Sequence, residues 1–432
     1  MSEDRGGTGD RHDLMILAIL SLGVGAVTGL LCALLRLTLE KMDLLRGLLI
    51  TQLHHLGILG FLLLVALTAC TVALAAWIVR RFSPDAVGSG IPQVELALQS
   101  ERPESPLRHA WVKFIGSILS IGSGLALGRE GPSIQMGAAI ADTAARTFGR
   151  SWSDSKILFA AGAGAGLATA FNAPIAGAIF VLEELVRRFD MKLAVAALGA
   201  SVGAIGAARV FLGVSPDFHV EPLPYPNLSA VPIHIGLGLV AGLVGVAYSQ
   251  TILTMLKITD QWRRMPVELR AGLIGAVVGA VAWYAPAMVG GGDSITQEIL
   301  TSGGALTTVL IFFLLRFILG PVSYAAGVPG GLFAPMLVLG TQIGLIYGIL
   351  SDSWFPGINQ NLTAYAVVGM AAFFTAVVRA PITGIVLAVE MTGSASLLLP
   401  MLSASFTAML IPALFRVPPI YDSLRERINK QM

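Results

Sequence analysis

Charged side chains are scarce in this sequence, and their scarcity limits what the protein can be. Only 12% of the 432 residues are Asp, Glu, Lys or Arg, whereas soluble globular proteins carry about 25%. Hydrophobic residues make up 55% of the chain, and the mean hydropathy is +0.77. So few charges cannot cover a water-soluble particle of this size, which excludes a soluble enzyme and a disordered protein. The net charge of +2 gives no indication of a nucleic-acid partner.

Cysteine and metal-binding patterns are also lacking. The two cysteines, Cys32 and Cys70, lie inside apolar runs, and we interpret them as small packing residues. The sequence contains no CxxC pair and no HExxH motif, and it suggests no Ser–His pairing. We therefore expect no bound metal, no cofactor and no enzyme activity, and a membrane-embedded hydrolase is a poor alternative.

Long apolar runs and glycine are what the sequence has in abundance. A helix needs about 20 apolar residues to span a bilayer, and helices that pack closely in lipid need small residues at their contacts. Glycine contributes 49 residues, and Gly or Pro interrupts many of the runs. The sequence therefore predicts an all-α polytopic membrane protein with many tilted and broken helices. The runs lie at residues 14–35, 57–79, 110–127, 157–182, 193–213, 231–256, 271–291, 304–320, 332–350, 364–389 and 396–415.

The loops between the runs differ in their content of Lys and Arg. Loops 214–230, 292–303 and 352–363 contain neither residue. The positive-inside rule places the basic loops in the cytoplasm, together with the N-terminal segment 1–13 and the tail 426–432. One basic loop contains Arg187, Arg188 and Lys192, and another contains Lys257, Arg263, Arg264 and Arg270. The C-terminal part of the chain contains Arg416, Arg425, Arg427 and Lys430.

Two stretches of the sequence resemble each other at an offset of 207 residues. In each, a proline lies nine residues before an acid: Pro174 before Glu183, and Pro381 before Glu390. Repeated, broken apolar segments predict a transporter made of two inverted-topology repeats with its site between the halves. Chance similarity between Gly/Ala-rich stretches is the alternative.

Three segments carry unusual interruptions: GSGIP (88–92), GREGP (128–132) and GGLFAP (330–335). Broken helices at membrane depth are tolerated where they face protein or a water-filled cavity. A helix that begins at such a break presents free N–H groups and the positive end of its dipole. Several such ends together would bind an anion without a full positive charge. Alternatively, each break is only a kink where helices pack.

These motifs, together with Tyr421 in PPIYDSL (418–424), resemble the signature segments of the CLC family of chloride channels and proton-coupled chloride exchangers. The order and spacing match over nearly the whole chain, and the pattern is most similar to the bacterial H+/Cl− exchangers. The resemblance implies one CLC-type transmembrane domain, 14–425, with repeat halves 14–213 and 231–415. It also implies a homodimer in the lipid bilayer of a bacterial plasma membrane, with one pathway per subunit.

The resemblance further implies a chloride site built from these motifs. Ser89 matches a serine whose hydroxyl donates to the central anion, although a local helix cap is its alternative role. Tyr421 matches a tyrosine that donates to the same ion, and its alternative role is an interfacial aromatic anchor. The backbone N–H groups of Leu332 and Phe333 would complete the site. The full set implied for chloride binding is Ser89, Gly90, Arg129, Gly131, Leu332, Phe333 and Tyr421.

Glu130, in GREGP, is the leading candidate for a functional residue. An ionisable side chain deep in a membrane segment indicates function by default. By resemblance, its carboxylate is a gate that occupies an anion site and moves away when it is protonated. A structural ion pair with Arg129 is the alternative, although neighbours in sequence do not face each other on a helix.

The acidic pair Glu183 and Glu184 ends an apolar run just before the basic loop at Arg187. From the residues alone, the pair is a solvated helix end that faces the cytoplasm. The resemblance implies that Glu184 is an internal proton-transfer acid, which exchangers tend to keep and channels usually replace. Glu183 would then be a supporting residue. The presence of Glu390 at the equivalent position of the second repeat favours a structural role for Glu183, because a proton route is not expected twice.

The resemblance thus implies an H+/Cl− antiporter, with Glu130 as the external gate and Glu184 as the internal proton-transfer acid. The alternative is a passive voltage- or proton-gated chloride channel of the same fold. Ser89 and Pro132 stand where the fluoride-exporting branch tends to differ, which favours chloride. Only eleven residues follow Tyr421, so we expect no CBS domains.

Overall fold

The computed structural model describes residues 5–100, 105–262, 264–354 and 361–430. Over these ranges the chain forms α-helices and no named β-strand, which confirms the all-α prediction. The expectations for Arg263, for most of the loop 352–363 and for the outermost residues of both terminal segments lie outside the described residues.

The described helices form two series of eight, followed by one C-terminal helix. The first series is α1 (Arg5–His54), α2 (Ile58–Phe82), α3 (Ile91–Gln99), α4 (Leu107–Gly122), α5 (Glu130–Thr147), α6 (Trp152–Ala170), α7 (Pro174–Phe180) and α8 (Met191–Leu212). The second is α9 (Val231–Gln261), α10 (Val267–Tyr284), α11 (Asp293–Ser302), α12 (Leu306–Tyr324), α13 (Phe333–Trp354), α14 (Leu362–Val378), α15 (Pro381–Thr392) and α16 (Leu398–Leu414). Helix α17 covers Ile420–Asn429.

Within the described residues, eight helices are long and apolar enough to cross a membrane. They belong to α1, α2, α8, α9, α10, α12, α13 and α16. The other helices are either shorter, because Gly, Pro or a turn interrupts the apolar runs, or, like α5 and α6, as long as a span but less apolar. The predicted run 157–182, for example, is divided at Asn172 and Ala173 into α6 and α7. The polytopic prediction with broken helices is therefore confirmed.

The two series pack in the same way. Helix α1 packs on α8 and α5 on α6, just as α9 packs on α16 and α13 on α14. Equivalent helices also meet across the middle of the molecule, where α2 packs on α10 and α7 on α15. This arrangement confirms the two-repeat architecture and places the site-bearing helices at the boundary between the halves.

Glycine permits the closest helix contacts. Gly137 of α5 and Gly162 of α6 face each other so closely that a Cβ on either would collide with the other's backbone. Gly340 of α13 and Gly369 of α14 form the equivalent contact in the second half. Close backbone approach at small residues is how helices associate in lipid.

Two acids cap helices of the opposite half. The Glu183 carboxylate accepts hydrogen bonds from the N–H and the hydroxyl of Thr383, both 2.7 Å, at the start of α15. The Glu390 carboxylate accepts the N–H of Ala176, 2.8 Å, at the start of α7. Acceptors at helix N-termini satisfy donors that have no partner within the helix. Both acids therefore serve the same capping role, one in each half.

Candidate gate and anion site

The three Gly- and Pro-rich motifs meet inside the protein. Gly128 and Gly331 exchange two backbone hydrogen bonds, with N···O distances of 2.9 and 2.7 Å. The Gly88 N–H donates to Val328, and the Gly88 carbonyl accepts from Gly330, both at 3.2 Å. Helices α3, α5 and α13 begin at this junction. Their free N–H groups and positive dipole ends therefore lie close together, which favours an anion.

Glu130 places its carboxyl group at the start of α13. The side chain is 0% exposed, and Oε1 accepts the backbone N–H of Phe333 at 2.7 Å. Its second oxygen, Oε2, has no hydrogen-bond partner among the described residues. Leu332, just before Phe333, is also buried. The carboxyl group thus uses one of the backbone donors that an anion would need.

Arg129 points away from Glu130. Its guanidinium binds Asp293 at 2.7 Å and Asp217 at 3.3 Å, and its Nε donates to the carbonyl of Ala170 at 2.9 Å. The alternative Arg129–Glu130 ion pair is therefore not among the ion pairs of the described residues. The guanidinium contributes its charge from the side of the site and holds α5 to α6 and α11.

A cavity of about 570 Å³ opens beside the segment that carries Glu130. It is lined by Gly128 and Arg129 from the first half and by Ala334 from the first turn of α13. Arg36 of α1 also faces this cavity and binds Asp217 at 2.7 Å. The cavity thus reaches Gly128 and Arg129, the two residues that precede Glu130. We call it the outer cavity.

Gly90 and Gly131 bring Ser89 close to α5. Gly90 has a φ of 85°, a left-handed conformation that glycine adopts without strain. Gly131 packs on the main chain of Ser89, where an added Cβ would collide with the carbonyl oxygen. The Ser89 Oγ accepts the N–H of Ile91 at 3.4 Å, so the local cap is formed at a long distance. This bond uses an acceptor position of the oxygen and leaves its proton for another partner.

Phe333 contacts both Glu130 and Tyr421. Its ring packs edge-on against Phe180 and Phe374, with centroid distances of 5.6 and 4.7 Å, and lies 5.7 Å from the ring of Tyr421. Tyr421 is completely buried, so it is not an interfacial anchor, and its hydroxyl has no hydrogen-bond partner in the described part of the chain. A buried O–H without a partner costs free energy. The hydroxyl is therefore a donor that a central anion would satisfy.

Glu184 lies on the other side of Tyr421, in a cluster of charges. It belongs to the π-helical turn Val181–Leu185, is 3% exposed, and places Oε1 at 3.2 Å from the guanidinium of Arg187. Arg187 also binds Asp422 at 2.9 Å. A cavity of about 480 Å³, which we call the inner cavity, is lined by Glu184 and Arg187. The acid is thus buried rather than solvated, yet it borders an open cavity.

Glu95 and Arg425 belong to the same cluster but are not among the residues selected from the sequence. Glu95, on α3, is 1% exposed and binds Arg425 at 2.8 Å, and Arg425 also binds Asp422 at 2.8 Å. An acid in the apolar segment after GSGIP is a usable signal, because charges at membrane depth indicate function. Its partner lies 330 residues away, so their pairing has no local sequence signal.

A family model described as voltage gated chloride channel matches residues 71–413, a range that contains all three interrupted motifs as well as Glu130 and Glu184. The chain belongs to the CLC family. Membership makes it an integral membrane transport protein.

Two bacterial CLC proteins illustrate the similarity in sequence. The H+/Cl− exchange transporter ClcA of Vibrio cholerae is 37% identical over 361 residues, which cover 82% of this chain and 77% of the relative. The H+/Cl− exchange transporter ClcA of Cronobacter sakazakii is 34% identical over 436 residues, which cover 97% of this chain and 91% of the relative. The second match therefore includes nearly all of both proteins.

Solved CLC structures have the same fold. The crystal structure of a slow cyanobacterial Cl−/H+ antiporter is 31% identical, with a TM-score of 0.91 and coverage of 95% of this chain and 97% of that one. A CLC-type fluoride/proton antiporter, 21% identical, has a TM-score of 0.77 with 93% and 97% coverage. At that identity, the second comparison concerns the fold alone.

Proposed function

We propose that this CLC protein exchanges chloride for protons, with Glu130 as the external gate and Glu184 as the internal proton-transfer acid. The observation that carries the proposal is the 2.7 Å hydrogen bond from the Phe333 N–H to the buried Glu130 carboxyl group. A carboxylate in that position competes with an anion for the same donor. The exchange activity named for the relatives supports chloride and protons as the two ions.

Competition at the gate couples the two fluxes. Deprotonated Glu130 excludes chloride, because two anions repel strongly when they share one site of low dielectric constant. A proton on the carboxyl group removes its charge and weakens its hold on the Phe333 N–H. Chloride then takes the donor, and the protonated side chain moves into the outer cavity, where it can release its proton. Each return of the carboxylate displaces chloride, so the movement of one ion requires movement of the other.

Protons and anions separate on the inner side. Glu184 takes a proton from water in the inner cavity and passes it toward Glu130 through transient water. Chloride binds between the gate and Tyr421, with the hydroxyls of Ser89 and Tyr421 as donors. Tyr421 lies within electrostatic range of both Glu130 and Glu184, which supports a branch point near its ring.

A passive chloride channel of the same fold is the alternative function. The buried carboxyl group of Glu184 beside a cavity favours the exchanger, because a channel needs no inner proton acid. The test uses purified protein in a planar bilayer with equal chloride on both sides. A proton gradient should then shift the reversal potential of an exchanger and leave that of a channel at zero. Chloride current with no such shift would overturn the proposal.

We also propose a homodimer in a bacterial plasma membrane, with both termini in the cytoplasm. The described gate, hydroxyls and inner acid all come from one chain, so each subunit holds a complete pathway. Helix α17 packs on α3 and carries Asp422 of the inner cluster, which places the C-terminal tail on the side of Glu184. The mass of the detergent-solubilised protein tests the dimer, and a monomer mass would contradict it. A Lys430→Cys variant whose new cysteine is labelled only from outside the cell would contradict the cytoplasmic position of the C-terminus.

A further inference from the structure

Asp422 lies close to the proposed inner acid, and the proposed mechanism gives it no role. It belongs to the first turn of α17, directly after Tyr421. Both of its oxygens face the guanidinium of Arg187: Oδ1 lies 2.9 Å from Nη2, and Oδ2 accepts a hydrogen bond from Nη1 at 3.1 Å. The side chain of Glu184 contacts the same guanidinium through one oxygen, at 3.2 Å. Arg187 is therefore shared between two carboxyl groups and lies closer to Asp422.

The backbone limits where the Arg187 guanidinium can reach. Arg187 comes two residues after the π-helical turn that carries Glu184, and its φ of 55° is a left-handed conformation that is uncommon for residues other than glycine. Its Nε donates to the main-chain carbonyl of Glu184 at 3.2 Å. The guanidinium is thus held beside Glu184 by its own segment. Without the Asp422 carboxylate, Glu184 would be the acid that remains in contact with it among the described residues.

Arg425 holds the Asp422 carboxylate from a second side. It lies three residues further along α17, with Nη2 2.8 Å from Asp422 Oδ1. Its Nη1 donates to the buried Glu95 of α3 at 2.8 Å. The position of the Asp422 carboxylate therefore does not depend on Arg187 alone.

The charges around Glu184 decide at which pH it takes up a proton. A neighbouring cation favours the charged form of a carboxyl group, and a neighbouring anion disfavours it. Arg187 acts in the first sense, and the carboxylates of Glu95 and Asp422 act in the second. Asp422 has a further effect, because it competes with Glu184 for the guanidinium. The other charged or titratable residues around Glu184 are Glu183, Tyr421 and Arg425, with Lys156, Arg188, Asp190, Lys192 and Arg379 along the adjoining cavities.

We propose that Asp422 is a positioning residue for proton uptake, because its carboxylate binds Arg187 and so prevents a full ion pair between Arg187 and Glu184. A full pair would keep Glu184 charged at neutral pH, and an acid that stays charged transfers no proton. This inference rests on the proposed function, since it requires that Glu184 transfers protons.

Asp422→Asn tests the inference, because it removes the charge and keeps the shape of the side chain. Chloride-driven proton movement is measured in liposomes over a series of pH values, equal on both sides. The charged form of Glu184 gains stability in the variant, so the pH of half-maximal proton movement should fall by about one unit. At the acidic end of the series, the proton-to-chloride ratio should equal that of the wild type.

Two further variants are controls for this change. Asp260→Asn removes the partner of Arg427, an ion pair of 2.7 Å that also holds α17, and it should leave the half-maximal pH unchanged. Asp422→Glu keeps a carboxylate beside Arg187 and should restore most of the wild-type behaviour. Loss of exchange at every pH in Asp422→Asn would assign Asp422 a structural role and contradict the inference.

A double-mutant cycle separates the effect through Arg187 from the charge of Asp422 itself. In an Arg187→Gln background, Asp422→Asn should shift the half-maximal pH much less, because no guanidinium is left to pair with Glu184. An unchanged pH profile in Asp422→Asn, or equal shifts in the two backgrounds, would overturn the inference while the proposed function stands. Coupled exchange that survives Glu184→Gln would overturn the proposed role of Glu184 and the inference with it.

Discussion

At the scale of single residues, the main chain at the start of α13 holds the Glu130 carboxyl group through one of its two oxygens. Oε1 accepts the Phe333 N–H, while Oε2 has no partner among the described residues. A charged carboxylate with an unsatisfied oxygen is costly to bury. We therefore expect protonation to loosen the carboxyl group, which the neighbouring Arg129 does not hold because Asp217 and Asp293 occupy its guanidinium.

Glu130→Gln should keep chloride movement and lose proton movement. The amide carries no charge to compete with chloride, and it cannot take up and release a proton near neutral pH. Chloride efflux and proton uptake measured together in liposomes check this result. Glu298→Gln, at an exposed acid on α11, is the control and should keep both fluxes. Continued chloride-driven proton uptake by Glu130→Gln would rule out the gating role.

Tyr421→Phe should make the chloride-free protein slightly more stable and bind chloride less tightly. It removes a buried O–H that has no partner in the described part of the chain, and such a group costs about 1–3 kcal/mol. The same hydroxyl should contribute about 1.5–3 kcal/mol as a donor to an anion. Melting temperatures without chloride and over a chloride series measure both effects. An equal chloride-induced stabilisation in the variant and the wild type would show that the hydroxyl does not contact the ion.

At the scale of helices, the reciprocal caps tie the two halves together. Glu183 caps α15 and Glu390 caps α7, and each carboxylate accepts more than one donor. The equivalence assigns Glu183 to helix capping, although it is adjacent to the proposed proton acid Glu184. Glu183 and Glu390 occupy equivalent positions in the two repeats. A substitution at one acid is therefore the control for the same substitution at the other.

Glu183→Gln and Glu390→Gln should destabilise the protein to a similar extent, by about 1–3 kcal/mol each. In both, the amide NH2 faces a backbone N–H and leaves one donor unsatisfied. Neither change should alter the proton-to-chloride ratio. Denaturant unfolding and paired flux measurements check these results. A loss of proton flux in Glu183→Gln alone would place Glu183 on the proton route.

Sequence patterns could predict the helices and the three interrupted motifs, because Gly and Pro act on the local backbone. The offset of 207 residues between Glu183 and Glu390 also indicates the repeat. The partners of the charged residues could not be predicted. Arg129 binds Asp293, 164 residues away, and Glu95 binds Arg425, 330 residues away. Such pairs depend on how the helices pack, and no short-range pattern reports that packing.

At the scale of the whole molecule, two cavities approach the site from different sides. The outer cavity reaches Gly128 beside the gate, and the inner cavity reaches Glu184. Phe333 and Tyr421 fill the space between the two acids with aromatic rings. In the mechanism that we propose, a proton crosses an apolar gap between Glu184 and Glu130, while an anion has the hydroxyl and N–H donors of the motifs along its route.

Glu184→Gln should stop proton flux and leave chloride flux, because an amide cannot collect a proton from the inner cavity. The neighbouring variant Glu183→Gln is the control for changes at this end of α7. Chloride efflux and proton uptake should separate in liposomes that contain Glu184→Gln. Proportional loss of both fluxes would assign Glu184 a structural role, and full coupled exchange would place proton uptake elsewhere.

The cap that Glu390 provides for α7 has a consequence for biosynthesis. The two residues it joins, Ala176 and Glu390, are 214 positions apart in the chain. At a translation rate of about 5–20 residues per second, the acid emerges about 10–40 s after the helix that needs it. During that interval the first N–H groups of α7 lack their partner, and in lipid such groups require one. We therefore expect α7 to gain its cap only after most of the second half has been synthesised.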